Sequence, residues 1–180
     1  MFVLFITISG CDLLKSKEER FLNKLNEGES FTMTMSPKNS EYENEEIIIK
    51  VDNDKTYLYF DEDDSVFEIY YTKEDDKYYL YTDLFGSWIK EEIEEFDLSE
   101  EFLDPAMLEF DWFEKEDDKY ILNEEYYEDI FTETVNLEKI EIESKDDSLI
   151  INIYVVDEDE WVQVIINKIG ETKIELPEVE

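Results

Sequence analysis

One phrase occurs three times in this chain: a pair of Asp or Asn turn residues, then Lys, then a run in which aromatic and aliphatic side chains alternate. It reads DNDKTYLYF at 52–60, EDDKYYLYT at 74–82 and EDDKYIL at 116–122. Successive side chains along a strand point to opposite faces, and Asn and Asp tolerate the left-handed backbone that tight hairpins need. The copies are irregularly spaced, so the phrase is one hairpin solution used three times and not a solenoid repeat.

The same period of two extends on both sides of these hairpins. In FTMTMS, Phe31, Met33 and Met35 share one face while Thr32 and Thr34 take the other. EEIIIKV, KTYLYF, SVFEIYY, KYYLYT and SWIK continue a meander to about residue 90, turned at Asn53-Asp54 and Asp75-Asp76. LEKIEIES, SLIINIYVV, EWVQVII and TKIELPE resume it after residue 136, with Asp146-Asp147 and DEDE as turns. Pro177 suits an edge position in the last of these.

Helical signals lie elsewhere. Ser16 with Glu19 three residues on is a capping box, Phe21, Leu22 and Leu25 make an apolar stripe, and Gly28 terminates. They predict a helix over 17–26. Between about 91 and 131 the pattern is helical again. Asp104 caps a helix opened by Pro105, with Leu103 stapled to Leu108, and Asn123 caps EEYYEDIF, with Leu122 stapled to Tyr127. The order helix, sheet, helices, sheet predicts one α+β domain. Strands such as LIINIYVV are apolar on both faces, so neither face is fully wet. A strongly curved antiparallel sheet wrapped around helices meets that demand, and so does a sheet lining an apolar cavity.

A chain of 180 residues, 42% apolar and 15% aromatic, is long enough for one such core. Asp and Glu number 52 against 16 Lys and Arg, a net charge of −36, all of it after Cys11. That field repels phosphate backbones and excludes nucleic acid as a direct partner. It reads either as a solvated acidic face or as a surface that collects cations or mimics nucleic acid.

The chemistry of catalysis is thin. There is no His, the sole Arg is Arg20 on the first helix, and four glycines leave no phosphate-cradling loop. Paired acids such as Glu91-Glu92 and Glu94-Glu95 are expected by chance in so acidic a chain. DNDKT and DEDDS alternate oxygens as a calcium loop does, but neither has Gly at the sixth position. They read as solvated turns. No enzyme, cofactor or metal site is expected.

The chain opens MFVLFITISGC. Ten apolar residues are too few to span a bilayer, which takes about 20, but match the core of a secretory signal followed by small residues. ISGC resembles the lipobox of bacterial lipoproteins: an aliphatic residue, two small ones, then Cys. The resemblance implies cleavage before Cys11, a diacylglyceryl thioether on its sulfur, and a protein anchored by lipid at the extracytoplasmic face of the cell membrane. DLLKSKEER turns polar at once, as a tether does, and no Lys or Arg precedes the apolar run. The division expected is 1–10 signal peptide, 11–16 lipidated tether and 17–180 a single half-barrel domain.

Helix, curved meander, short internal helices and returning strands behind a lipobox resemble the LppX/LprG-type lipoproteins and the wider LolA/LolB-type carriers. INKIGETKIELPE is similar to that group's closing strand at Gly170, Ile174 and Pro177, while Ile169 and Thr172 depart from it. The resemblance implies an unclosed β-barrel whose concave side, lidded by helices, binds acyl chains or another hydrophobic ligand; only Cys11 carries over with a defined role. The wall expected to meet such a ligand is Phe31, Met33, Met35, Tyr57, Tyr59, Trp88 and Met107, with Met side chains adaptable and Tyr and Trp amphipathic. The aromatics read equally as ordinary strand packing. The alternative function is an acidic surface lipoprotein that meets proteins or cations and whose barrel interior is filled core.

Overall fold

Two-residue turns organise the sheet. A computed structural model describes residues 15–40, 42, 45–62, 65–96, 102–130, 137–156 and 160–179. The expected lipobox with Cys11, part of DEDDS and most of the DEDE turn lie outside the described residues. Strands β1 (Phe31–Lys38), β2 (Ile47–Asp52), β3 (Lys55–Glu62), β4 (Ser65–Glu74), β5 (Lys77–Leu84) and β6 (Ser87–Ile93) form the first meander. Strands β7 (Phe113–Glu116), β8 (Lys119–Leu122), β9 (Leu137–Lys145), β10 (Ser148–Val155) and β11 (Trp161–Asn167) form the second.

Each copy of the repeated phrase makes its hairpin in the same way. Asp52 faces Lys55, Glu74 faces Lys77 and Glu116 faces Lys119 across the turn. The left-handed positions are taken by Asn53, by Asp75 and Asp76, and by Asp117, and the β9–β10 turn uses Asp146 likewise. The β5–β6 turn departs from this rule: its left-handed residues are Phe85, fully exposed with φ 59°, and Gly86. A bulky side chain there is strained by roughly 1–2 kcal/mol, whereas Asn adopts the conformation readily. Phe85→Asn is therefore expected to raise the unfolding free energy by about 1 kcal/mol in urea titrations; a loss of stability would show that the ring makes a stabilising contact.

All eleven strands join one antiparallel sheet in the order β6-β5-β4-β3-β2-β1-β11-β10-β9-β8-β7. That is an up-and-down meander opened between β6 and β7, strands that follow one another in sequence but do not pair. The sheet is curved enough for Leu58 on β3 and Phe113 on β7 to belong to one core cluster. Helix α1 (Lys17–Asn26) has the boundaries expected, with Ser16 Oγ accepting from Glu19 N at 3.1 Å. It buries Leu22 and Leu25 on the inner face of the sheet, and Glu18 accepts from both the backbone N and the hydroxyl of Ser144 on β9. Burial pushes the Glu18 carboxyl up, but its hydrogen bonds, those from Ser144 foremost, outweigh this and hold it below the usual range.

Two expectations are corrected. Among the described residues, the 91–131 stretch holds short turns and a hairpin in place of the expected helices, and these residues are mostly β with one full helix. The Asp104 cap is real, accepting from Ala106 N at 2.9 Å, but it opens only a 3-10 turn, Pro105–Met107. A second such turn is Phe110–Trp112, and a third, Glu124–Tyr126, runs into the single turn α2 (Tyr127–Ile130). The β7–β8 hairpin lies between them because the two-residue turn at Asp117-Asp118 overrides the helical spacing.

The closing segment is the second correction. TKIELPE forms no strand of the sheet. Lys168 and Gly170, both left-handed, reverse the chain, Gly170 N donates to Ser30 O at 2.6 Å, and the segment lies on the outer face of β1 and β2. There Thr172 bonds the Thr32 hydroxyl at 3.0 Å and Ile174 N donates to the buried Asp52 carboxylate at 3.0 Å. Lys55 Nζ caps the Ile174 carbonyl at 3.1 Å. The alternation that predicts a strand instead alternates burial, with Thr172 and Ile174 inward.

Candidate functional site

Strand register divides the expected ligand wall between two faces. Phe31, Met33 and Met35 on β1 face inward, opposite Val51, Ile49 and Ile47 on β2. Tyr57 and Tyr59 alternate with inward Leu58 and so face outward. Tyr57 stands beside Tyr70, with ring centres 4.8 Å apart, and Tyr70 meets Trp88 edge-on at 5.3 Å. Tyr57, Tyr59 and Trp88 are thus together on the outer face and apart from the β1 residues. Met107 is exposed on its 3-10 turn, where Leu103, Pro105 and Leu108 are the buried residues.

The outer face is occupied by its own bonds. Tyr57 donates to Glu68 at 2.6 Å, and Lys90, paired with Glu74 at 2.7 Å, lies 4.0 Å from the centre of the Tyr79 ring. Burial, then the bond to Glu68, pushes the Tyr57 hydroxyl well above the usual range. Further round, the buried Glu141 accepts from Lys119 at 2.6 Å and from Lys139. These rings and carboxylates satisfy one another, and of them Tyr79 borders a polar opening of about 250 Å³ beside Thr72 and Lys73.

The inner face is a different surface at each end. The end at which α1 enters β1 and meets Ser144 is covered. There Met33, Ile49, Leu149 and Ile166 are fully buried with Leu22 and Leu108. Met33 is core, because α1 and the chain between β6 and β7 pack over its row. One cross-strand row further along, Met35, Ile47, Phe60 and Phe67 stand side by side on β1, β2, β3 and β4. Met35, Ile47 and Phe60 are only half-buried here, Met35 and Ile47 packing at the edge of the core. A cleft of about 330 Å³ opens here, lined by Met35, Ser36, Pro37, Glu45, Glu46, Ile47, Phe60, Asp61 and Val162. Its volume is at the lower end of the ~300–1,000 Å³ of small-molecule sites.

Among the described residues most exposed apolar side chains, Met107 and Val179 excepted, gather at the same end. Tyr42 lies between β1 and β2, Val66 and Phe67 begin β4, Leu84 and Phe85 make the β5–β6 turn, and Val156 follows β10. By strand direction all of these lie opposite the α1 end. Phe67 stacks on Phe60 with ring centres 5.0 Å apart, extending the apolar floor of the cleft towards solvent.

Of the expected wall, then, Met35 alone lines this cleft. A smaller opening beside α1, of about 310 Å³, takes Phe31 with Val51, Phe96 and Ala106. Ile47, Phe60 and Val162 are not in the expected set. The pairing Ile47 opposite Phe60 follows from the two-residue β2–β3 turn, so their sharing of a face was readable from sequence. Compared with known proteins, the chain matches no family model and no curated protein sequence.

Proposed function

We propose that this protein is a membrane-anchored, extracytoplasmic lipoprotein whose open barrel, of LolA-like type, holds a hydrophobic ligand against its inner face. The observation that carries the reading is the uncovered row Met35–Ile47–Phe60 and the cleft above it. Apolar surface left half-buried beside an open cleft on the inner face of a sheet is characteristic of a binding groove and not of a finished core. The ligand is a lipid or other acyl-bearing molecule, held without chemistry by a chain that lacks His altogether.

The anchor is Cys11. Two acyl chains at ~0.8 kcal/mol per buried methylene hold a protein firmly at a bilayer, whereas one chain is marginal. Cys11→Ser in the full-length chain is expected to move the protein to the soluble or uncleaved fraction of cells; equal membrane retention of the processed variant would remove the lipoprotein reading. The binding reading is tested by titrating the uncharged fluorophore N-phenyl-1-naphthylamine. Saturable enhancement that an added lipid competes away is expected. An absence of enhancement favours the alternative, an acidic interaction module with a filled interior.

A further inference from the structure

We infer that the ligand of this cleft carries a positive charge: it is a cationic amphiphile, an acyl or alkyl chain ending in an amine or quaternary ammonium. The inference rests on the hydrophobic-site reading above and names the ligand class that reading leaves open.

Three observations point the same way. The floor of the cleft is apolar, from Met35, Ile47, Phe60 and Val162, and every ionisable residue at its border is acidic: Glu45, Glu46 and, at the strand end with its side chain on the outer side of the rim, Asp61. None of the three forms an ion pair among the described residues. The sequence entering β2 is EYENEE and that leaving β3 is DEDD, neither with a Lys or Arg to balance it. An anionic head placed at this rim meets like charge from Glu45, Glu46 and Asp61, at an edge where the low-dielectric wall strengthens the repulsion.

The third observation is the aromatic shelf. Phe60 lines the cleft and Phe67 stacks on it with one face of the pair towards solvent. The ring faces attract cations, best of all quaternary ammonium, and repel carboxylates. At the other aromatic–cation contacts in this protein a Lys supplies the charge, as Lys90 does over Tyr79. At Phe60 and Phe67 no Lys does so among the described residues. The chain of the amphiphile therefore lies along Met35, Ile47 and Val162, with its head at the phenyl shelf and in the field of the acidic rim.

The test is calorimetric titration of the full chain, Cys11 unmodified, with decyltrimethylammonium, decyl maltoside and decanoate, each below its micelle concentration. The cationic probe is expected to bind at least about ten-fold more tightly than decanoate, with decyl maltoside between. Neutralising the rim (Glu45→Gln, Glu46→Gln, Asp61→Asn) is expected to erase that order. Removing the same charge from the distant β7–β8 hairpin (Glu114→Gln, Asp117→Asn, Asp118→Asn) is expected to leave it. If all three probes bind alike, or the two triple variants lose the preference equally, the charge inference is overturned and the hydrophobic site stands. If no probe binds, the hydrophobic site itself fails.

Discussion

Met33→Trp is expected to lower the unfolding free energy by about 1–3 kcal/mol while leaving a hydrophobic probe bound, and Val162→Trp is expected to do the reverse. Both residues face inward, on adjacent strands and two cross-strand rows apart, yet they differ in what lies above them. Met33 is fully buried beneath the layer that α1 and Leu108 provide, so added atoms force that layer outward. Val162 is half-buried and borders about 330 Å³ of open space, which an indole can occupy without displacing a neighbour. Urea unfolding and probe titration of the two variants separate core from site. A Val162→Trp protein that is strongly destabilised and still binds would place the site elsewhere.

The second large effect concerns Glu141, and its direction is asymmetric. Replacing both partners, Lys119→Met with Lys139→Met, strands a buried carboxylate. The expected loss at neutral pH is about 2 kcal/mol, below the ~3–5 kcal/mol of an enclosed pair because both lysine heads meet solvent. Glu141→Met removes the buried member instead and leaves two lysines free to hydrate, so its loss is expected to be smaller. The pH dependence follows from the sign of the shift. Burial alone pushes the Glu141 carboxyl up, but the bonds from Lys119 and Lys139 outweigh it and hold the group below its ordinary 4.5. In the wild type the contribution is present above that ordinary value and is lost as pH falls through the folded value. In the double lysine variant burial remains with only the long Tyr154 hydroxyl bond at 3.4 Å against it, the carboxyl rises, and protonation relieves the penalty as pH falls. The gap between the two proteins is therefore expected to narrow from pH 7 to pH 4; a constant gap would mean that the lysines act through packing alone.

Much of the fold is legible in the sequence because turn chemistry is local. The pairs Asp52–Lys55, Glu74–Lys77 and Glu116–Lys119 are fixed by Asn and Asp at left-handed positions, and each turn sets the register of its hairpin. From the Glu74–Lys77 turn it follows that Tyr70 and Tyr81 share a face, which the β3–β4 and β5–β6 registers extend to Tyr57 and Lys90. Which face that is does not follow. The link from β1 to β2 spans residues 39–46 and sets no register, so the phase of Met33 relative to Tyr57 is decided by packing under α1. Grouping them as one wall fails for that reason.

The segment between β6 and β7 fails for another. Asp104-Pro105 and Asn123 are genuine caps or turn starters, but a cap signals where a helix can begin and not how long it runs. Its length depends on an apolar stripe that continues, and here the chain has to cross the open seam of the sheet, burying Leu103, Leu108 and Phe113 in succession. The closing segment shows the same limit. Alternation at Thr172 and Ile174 is visible in sequence, but the partner chosen is the Asp52 side chain and not a neighbouring strand.

The central claim, that the inner face beyond α1 is a ligand site, is tested most directly by native mass spectrometry of the domain from Asp12 onward, expressed in cells and purified without detergent. The wild-type domain is expected to carry a co-purifying lipid or amine-bearing amphiphile as a discrete added mass, absent from Val162→Trp and retained in Met33→Trp. Both variants and the wild type flying at the bare polypeptide mass, with no probe taken up afterwards, would contradict the account and leave the interior as core alone.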